Sequence, residues 1–432
     1  MIGRHARLIL AGAAALVFGA CAGTPVRQPA QATGPEADVR AAIATFASRQ
    51  ADISSIDAAA AHVAISDTVA TAEPVVMRNR RSGSAEYRLT LHRGESGWYV
   101  RTAEFLAPIP VELEPGGPGA EYLALTERWA GANLTWIQRT LWANPPNGGD
   151  STLRAHALLA LDEPLHLRSA PSLRPVQEFL RANIDHAIAQ MRAERVTEGA
   201  TIWKLYNHGW IARTANHTWA HDLNDGAGRA SMSDQQIDAL LSEIDVLFLS
   251  HWHGDHVAMN VVQRALAKGI PVLLPPVSES EDGARARERV VAALGPGATV
   301  IAPGSHGETR GLRWHAYPGH QGDMPNNVYA VTADGMTIMQ TGDQADRNDF
   351  AWIDSVGAWQ AVDVLLPNVW TIEMRRVVAG VRPRFVFPGH ENELGHNFEH
   401  REPYCQAYEV LDGIPAKWYV LAWGERVHVD PR

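Results

Sequence analysis

Six consecutive residues, His251-Trp252-His253-Gly254-Asp255-His256, set three imidazoles and a carboxylate side by side. Protonated, such a cluster repels itself. Neutral, it is the donor set that zinc and its neighbours take, histidine being the commonest ligand of all. Nothing in ordinary core packing calls for it. The cluster follows the apolar run Ile244-Asp245-Val246-Leu247-Phe248-Leu249, which reads as a buried strand, and precedes Val257 to Lys268, which reads as a helix. Loops between a strand end and a helix start are where open α/β sheets assemble their sites. The chain must therefore fold so that a strand delivers this loop to a protected place.

The N-terminal segment reads as a processing signal. Arg4, His5 and Arg7 precede an apolar stretch from Leu8 to Phe18 that is too short to span a bilayer, and small residues lead directly to Cys21. Phe18-Gly19-Ala20-Cys21 resembles a lipoprotein cleavage box, which implies export with Cys21 lipidated. The product is then a membrane-anchored lipoprotein on the periplasmic side or cell envelope. Cleavage near Ala20 or Ala22 would instead give a secreted or periplasmic protein. The expected membrane attachment is by lipid anchor only. Cys405 is the one other cysteine, so no disulfide is available to the lipidated chain. It reads as a small buried hydrophobe. A net charge of -10 with scattered arginines excludes nucleic acid as a partner and leaves a small-molecule substrate.

After the leader (1–21), residues 22–36 are rich in Pro, Ala, Gln and Gly and read as a flexible tether. Residues 37–107 read as a small α+β module. Asp38 to Gln50 has helical spacing, and two alternating runs, Tyr87-Leu89-Leu91 and Trp98-Val100, flank Gly94-Glu95-Ser96-Gly97 as in a hairpin. Residues 108–200 read as a helical connector. One helix carries Tyr122, Leu125, Trp129, Trp136, Ile137 and Leu141 as packing residues. A second carries Val176, Leu180, Ile184, Ile188 and Met191, and polar, proline-containing stretches lie between them. From about Thr201 to the end, short strands alternate with helices and Gly/Pro turns, which implies an α/β domain at 201–432. Within it, Asp334-Gly335 is a strong hairpin turn between Val328 to Val331 and Thr337 to Gln340.

Twelve of the nineteen histidines lie between His208 and His400. Three further segments end a strand with a potential ligand: Tyr317-Pro318-Gly319-His320, Gln340-Thr341-Gly342-Asp343 and Phe387-Pro388-Gly389-His390. His320 is preferred to His315 because Pro318-Gly319 marks a strand end. His390 is preferred to His396 and His400 for its Pro-Gly-His context. In this order, after the 251–256 cluster, the segments resemble the metallo-β-lactamase superfamily over roughly residues 200–430.

The resemblance implies a four-layer αββα sandwich and two divalent ions, zinc first, with manganese or iron as alternatives. It implies that His251, His253 and His320 hold one ion, that Asp255, His256 and His390 hold the other, and that Asp343 bridges them. Asp222 would support the ligand loop. A metal-bridging hydroxide would then cleave a small ester, lactone or phosphodiester, with Asp255 as the catalytic proton acceptor. His396, Glu393 and Tyr206 are candidates for the leaving-group acid. His208, His217 and His221 read as core or rim residues. Asp343 stands where zinc β-lactamases of the commonest class carry cysteine. The short His320–Asp343 spacing is similar to the lactonase-like branch typified by ascorbate-6-phosphate lactonase. A lipid phosphodiesterase resembling N-acyl phosphatidylethanolamine phospholipase D and a non-catalytic metal-holding binding lipoprotein are the alternatives.

Overall fold

The structure is a computed structural model. It describes residues 34–49, 53–79, 83–94, 97–108, 118–146, 150–276, 294–295, 297–322 and 324–432. The leader, Cys21 and the tether up to residue 33 lie outside the described residues. Two compact units divide the chain at Ile109 and Pro110.

In the first unit the helix Pro35–Arg49 opens on proline at its first position, with Glu36 and Asp38 in its first turn, where the helix dipole favours acid. It contributes Val39 and Ile43 to a core shared with Ala70, Ala72, Val75, Leu89 and Leu91 of an antiparallel sheet. The expected hairpin is present. Gly83–Gly94 pairs with Gly97–Pro108, placing Leu91 opposite Val100 and Gly94 opposite Gly97.

The second unit is built on two seven-stranded sheets. In spatial order the first contains Ala298–Val300, Val272–Leu274, Val246–Phe248, Thr218–His221, Trp210–Arg213, Ala200–Lys204 and Arg426–Val429. The second contains His306–Thr309, Leu312–Gln321, Met324–Ala333, Met336–Gln340, Val364–Leu366, Phe385–Val386 and Lys417–Trp418. Successive side chains leave a strand on opposite faces, and here both faces are buried. Trp219, Val246 and Phe248 meet Tyr329, Val331, Ile338, Val364 and Phe387 between the sheets. Their neighbours Ala220, Leu247 and Met339 turn outward into a second core with the helices. The result is the expected αββα sandwich. Asp334 and Gly335 both have positive φ, 48° and 80°, as a two-residue type I′ hairpin requires.

The region read as a connector differs from expectation in two ways. A helix, Thr152–Leu165, occupies a stretch read as polar and proline-containing; Ser151 caps its start, and Pro164 falls in its last turn. Together with Pro118–Ala143 and Arg174–Ala193 it packs Leu134, Ile137, Leu158, Leu161, Val176 and Leu180 into the same core as Trp203, Leu205 and Ile211. These helices are thus part of the sandwich unit. Burying them against the first sheet satisfies an apolar face that a free connector would expose. Tyr122, Leu125, Trp129 and Trp136, read as packing residues, are instead exposed, because Leu134, Ile137 and Leu141 form the inward face of their helix. Cys405 is also exposed; its helix, Tyr404–Leu411, buries Tyr404, Ala407 and Leu411. Among the described residues no helix is long and apolar enough to cross a membrane.

Candidate metal centre

The two sheets deliver their ligand candidates from corresponding strand ends. Thr218–His221 and Val246–Phe248 run parallel, so the loops carrying Asp222 and His251 to His256 leave side by side. In the second sheet Met336–Gln340, Val364–Leu366 and Phe385–Val386 are also parallel neighbours, which brings together the turns carrying Asp343, Asn368 and His390. An additional bridge joins Asn368 to Gly389. Carboxyl ends of adjacent parallel strands are the place where α/β sheets converge side chains from distant sequence.

Two groups of donor atoms, each confined within 4.8 Å, result: Asp255, His256, Asp343 and His390, and His251, His253 and Asp343. Asp343 belongs to both. Its Oδ1 lies 3.2 Å from His256 Nε2, and its Oδ2 lies 3.5 Å from His251 Nε2 and 3.6 Å from His390 Nε2. Asp255 Oδ2 is 3.1 Å from His390 Nε2 and 3.3 Å from His256 Nε2. Asp343 is fully buried, while Asp255 retains 12 % exposure and so marks the side open to solvent. Gly342 permits the turn before Asp343: its φ is +53°, and a Cβ there would stand 2.1 Å from Asn326 Oδ1. That Asn326 oxygen accepts the Asp343 backbone N–H at 3.2 Å, and Asn368 donates its side-chain amide to Asp343 Oδ1.

Hydrogen bonds fix which imidazole nitrogens remain free. His256 Nδ1 donates to Asp222 Oδ2 at 2.9 Å, leaving a buried Nε2 without a hydrogen-bond partner. Ser250 Oγ donates to Asp222 Oδ2 at 2.7 Å and so accepts from His251 Nδ1 at 3.0 Å, which leaves His251 Nε2 unprotonated, 3.1 Å from His253 Nδ1. Asp222 also accepts the Ser250 backbone N–H at 2.7 Å and the Gln340 amide at 2.6 Å. Burial pushes its carboxyl up, but His256 and the neighbouring imidazoles outweigh this and bring it down to about 2. As an anion, Asp222 thus holds Ser250 and His256 at the two ends of the ligand loop.

The electrostatics favour a cation. Burial lowers the affinity of His256 and His390 for a proton, yet Asp343 and Asp255 outweigh it and hold both well above the ordinary histidine value. The same contacts overcome burial at Asp255 and Asp343 and hold both carboxyls well below theirs. His253 moves the other way, down to about 4, through burial and the adjacent His251. Lone pairs and carboxylates converging with an orphaned buried nitrogen are the donor set that a divalent ion satisfies.

His320 lies outside both groups. Pro318-Gly319 does not end its strand, which runs Leu312–Gln321 and pairs His320 with Pro325. Its side chain is 42 % exposed, and Nδ1 is 2.7 Å from Asp349 Oδ1, leaving Nε2 available. A carboxylate on the second nitrogen is the usual companion of a ligating histidine. His315 instead stacks on Tyr317 at 3.9 Å. Of the three acid candidates, Tyr206 and Glu393 are buried, whereas His396 is 36 % exposed with Nε2 3.7 Å from Asp255 Oδ2. His396 also forms a further group with His390 and Glu402. His221 is a core residue that accepts from Trp219 Nε1 at 3.0 Å.

Sequence reasoning missed the supporting set of Asn207, Ser250, Asn326, Gln340, Asp349, Asn368 and Glu402. Only Ser250 carried a local signal, standing next to His251.

No protein-family model matches the chain, and no curated protein matches it. Solved structures do resemble part of it. One is a metallo hydrolase from the hyperthermophilic archaeon Ignicoccus hospitalis (18 % identity, TM-score 0.41, covering 54 % of this chain and 99 % of that one). Another is a metallo-β-lactamase fold protein from Bacillus subtilis (10 % identity, TM-score 0.38, 54 % and 100 %). A third is an isothiocyanate hydrolase from Delia radicum gut bacteria (14 % identity, TM-score 0.40, 54 % and 100 %).

Proposed function

We propose that this chain is a metal-dependent hydrolase of the metallo-β-lactamase type that cleaves a small ester, lactone or phosphodiester at a two-ion centre. His251, His253 and His320 would hold one ion, Asp255, His256 and His390 the other, and Asp343 would bridge them. The observation that carries this reading is the membership of Asp343 in both donor groups, one oxygen turned to His256 and the other to His251 and His390. When bound, such ions lower the pKa of water toward ~7 and polarise the oxygen of the bond to be cleaved. Zinc is the first ion to test, since nitrogen and oxygen donors alone accept manganese and iron as well.

The chain's own residues supply the rest. Asp255, ionised and partly open to solvent, is placed to orient the nucleophile and accept its proton. His396 is the candidate donor to the leaving group: its Nδ1 faces the His400 carbonyl at 3.2 Å, so Nε2 is the nitrogen turned toward Asp255. Asp349 sets the orientation of His320. Export and lipid anchoring through Cys21 belong to the same proposal.

Metal analysis of the purified protein, with assays on a generic lactone and on bis-p-nitrophenyl phosphate, tests the reading. Bound metal and turnover of either substrate support it, and Asp343→Ala should lose metal together with nearly all activity. Protein that binds no metal, or binds it and hydrolyses neither substrate nor any lipid ester, would favour a binding lipoprotein.

A further inference from the structure

The tight turn joining Ala200–Lys204 to Trp210–Arg213 carries no ligand, yet it is fully buried against one half of the centre. Leu205 N–H donates to Gly209 O at 2.8 Å and Gly209 N–H donates to Tyr206 O at 3.0 Å, with Asn207 at its tip at φ +54°. Asparagine is among the few residues that adopt this left-handed conformation readily. Asn207 then grips two ligand candidates at once. Its Nδ2 donates to Asp255 Oδ2 and to the Asp255 carbonyl, both at 3.2 Å, and its carbonyl accepts the His390 N–H at 3.3 Å.

The neighbours of Asn207 hold the same loop. Lys204 Nζ, wholly buried, pairs with Glu391 and reaches the Pro388 carbonyl at 3.4 Å. Tyr206 Oη accepts the Leu394 N–H at 2.8 Å. His208 packs against Gly389, where a Cβ would lie 2.3 Å from its Nδ1. Among the described residues, no hydrogen bond of Asn207 reaches His251, His253 or His320; Ser250 holds His251, Asp349 holds His320, and His253 Nδ1 lies 3.1 Å from His251 Nε2.

We infer that Asn207 is a positioning residue for one ion only, the ion held by Asp255, His256 and His390, so that the two ions bind with separable affinities. The inference rests on the two-ion reading. Asn207 touches neither ion nor substrate; it acts by fixing the Asp255 carboxylate and the His390 backbone in one geometry. Removal of such an outer partner weakens metal affinity by about 10- to 100-fold.

The test uses the full-length protein, stripped by chelator and titrated with zinc against a competing chelator, with zinc content measured after graded dialysis. Asn207→Gly keeps the left-handed turn and removes only the amide. The expected result is one zinc equivalent weakened about 10- to 100-fold while the other keeps its wild-type constant, with metal-free melting close to wild type. Should Asn207→Gly not fold, Asn207→Asp keeps the shape, sets a second carboxylate against Asp255, and must show the same selective change. Two wild-type equivalents with constants unchanged in the variant, or weakened equally, overturn the inference and leave the two-ion reading standing. A wild type that binds a single equivalent overturns the two-ion reading and this inference with it.

Discussion

Asp222→Asn is the sharpest perturbation of the centre, because it preserves shape and removes only a charge and an acceptor. Asp222 Oδ2 accepts from Ser250 Oγ, His256 Nδ1 and Gln340 Nε2, at 2.7, 2.9 and 2.6 Å, while Oδ1 accepts the Ser250 N–H at 2.7 Å. In the amide one oxygen can still serve Ser250, but an NH2 group then faces the three other donors. The Ser250 hydroxyl can rotate away. Gln340 cannot simply flip, since its Oε1 accepts the Gly342 N–H at 3.1 Å. Losing charge-assisted bonds costs about 1.5–3 kcal/mol each, and a stranded buried donor costs a further 1–3 kcal/mol or so. The expected loss of stability is therefore about 3–5 kcal/mol in the metal-free protein. His256 can relieve its own clash by moving its proton from Nδ1 to Nε2, which removes the lone pair it would offer an ion. Zinc affinity should then fall about 10- to 100-fold as well. Urea denaturation of the stripped protein and a chelator-competed zinc titration read the two effects separately. A variant within about 0.5 kcal/mol of wild type, the range of an inconsequential surface change, that also binds zinc normally would refute the tautomer argument.

Gly389→Ala should destabilise the chain by about 1–3 kcal/mol and weaken zinc binding through His390, because its Cβ would stand 2.3 Å from His208 Nδ1. Introduced into a His208→Ala background it should cost much less, and a double-mutant cycle with no coupling would argue against that contact. Lys204→Met leaves Glu391 buried without its partner and should cost about 3–5 kcal/mol in urea denaturation, most of it recovered when Glu391→Leu is added. Equal losses in the single and double variants would contradict the pairing. At the hairpin turn, burial pushes Asp334 up, but hydrogen bonds from the Asn216 side chain and backbone and from Thr214 outweigh it and hold its carboxyl below the ordinary value. A carboxyl lowered in the folded state adds stability above its unfolded pKa of ~3.9, and that stability is lost as pH falls through the folded value. Asp334→Asn should therefore be less stable than wild type at neutral pH and converge with it as pH falls below the ordinary carboxylate range, and parallel stability curves across that fall would count against the assignment.

Local chemistry announced itself in the sequence wherever a segment carried its own reason. The run from His251 to His256 needs no partner to be recognised, and Thr341-Gly342-Asp343 or Pro388-Gly389-His390 after an apolar strand is legible as a turn, whereas Pro318-Gly319-His320 has the same letters inside a strand. Asp334-Gly335 declared its turn through φ alone. The helix Thr152–Leu165 was obscured by the prolines around it, although Ser151 caps it in the ordinary way. Asn207, Asp349, Asn326 and Asn368 gave no sign, since each is an unremarkable polar residue until the chain sets it beside a ligand 17 to 48 positions away.

The sequence by itself determined the donor types, their order along the chain, the strand–loop–helix units that present them, and the net charge of -10. Only the tertiary structure decided which nitrogen His251, His256 and His320 turn away from their supporting residues and that Asp343 faces both donor groups. It also decided that the helices of 118–193 belong to the sandwich, and that a ligand-free turn holds Asp255 and His390 together. The division has a physical cause. Residue identity and local spacing fix what a side chain can donate or accept. Tautomer, orientation and shared contacts depend on partners that only the pairing of distant strands brings within hydrogen-bonding distance.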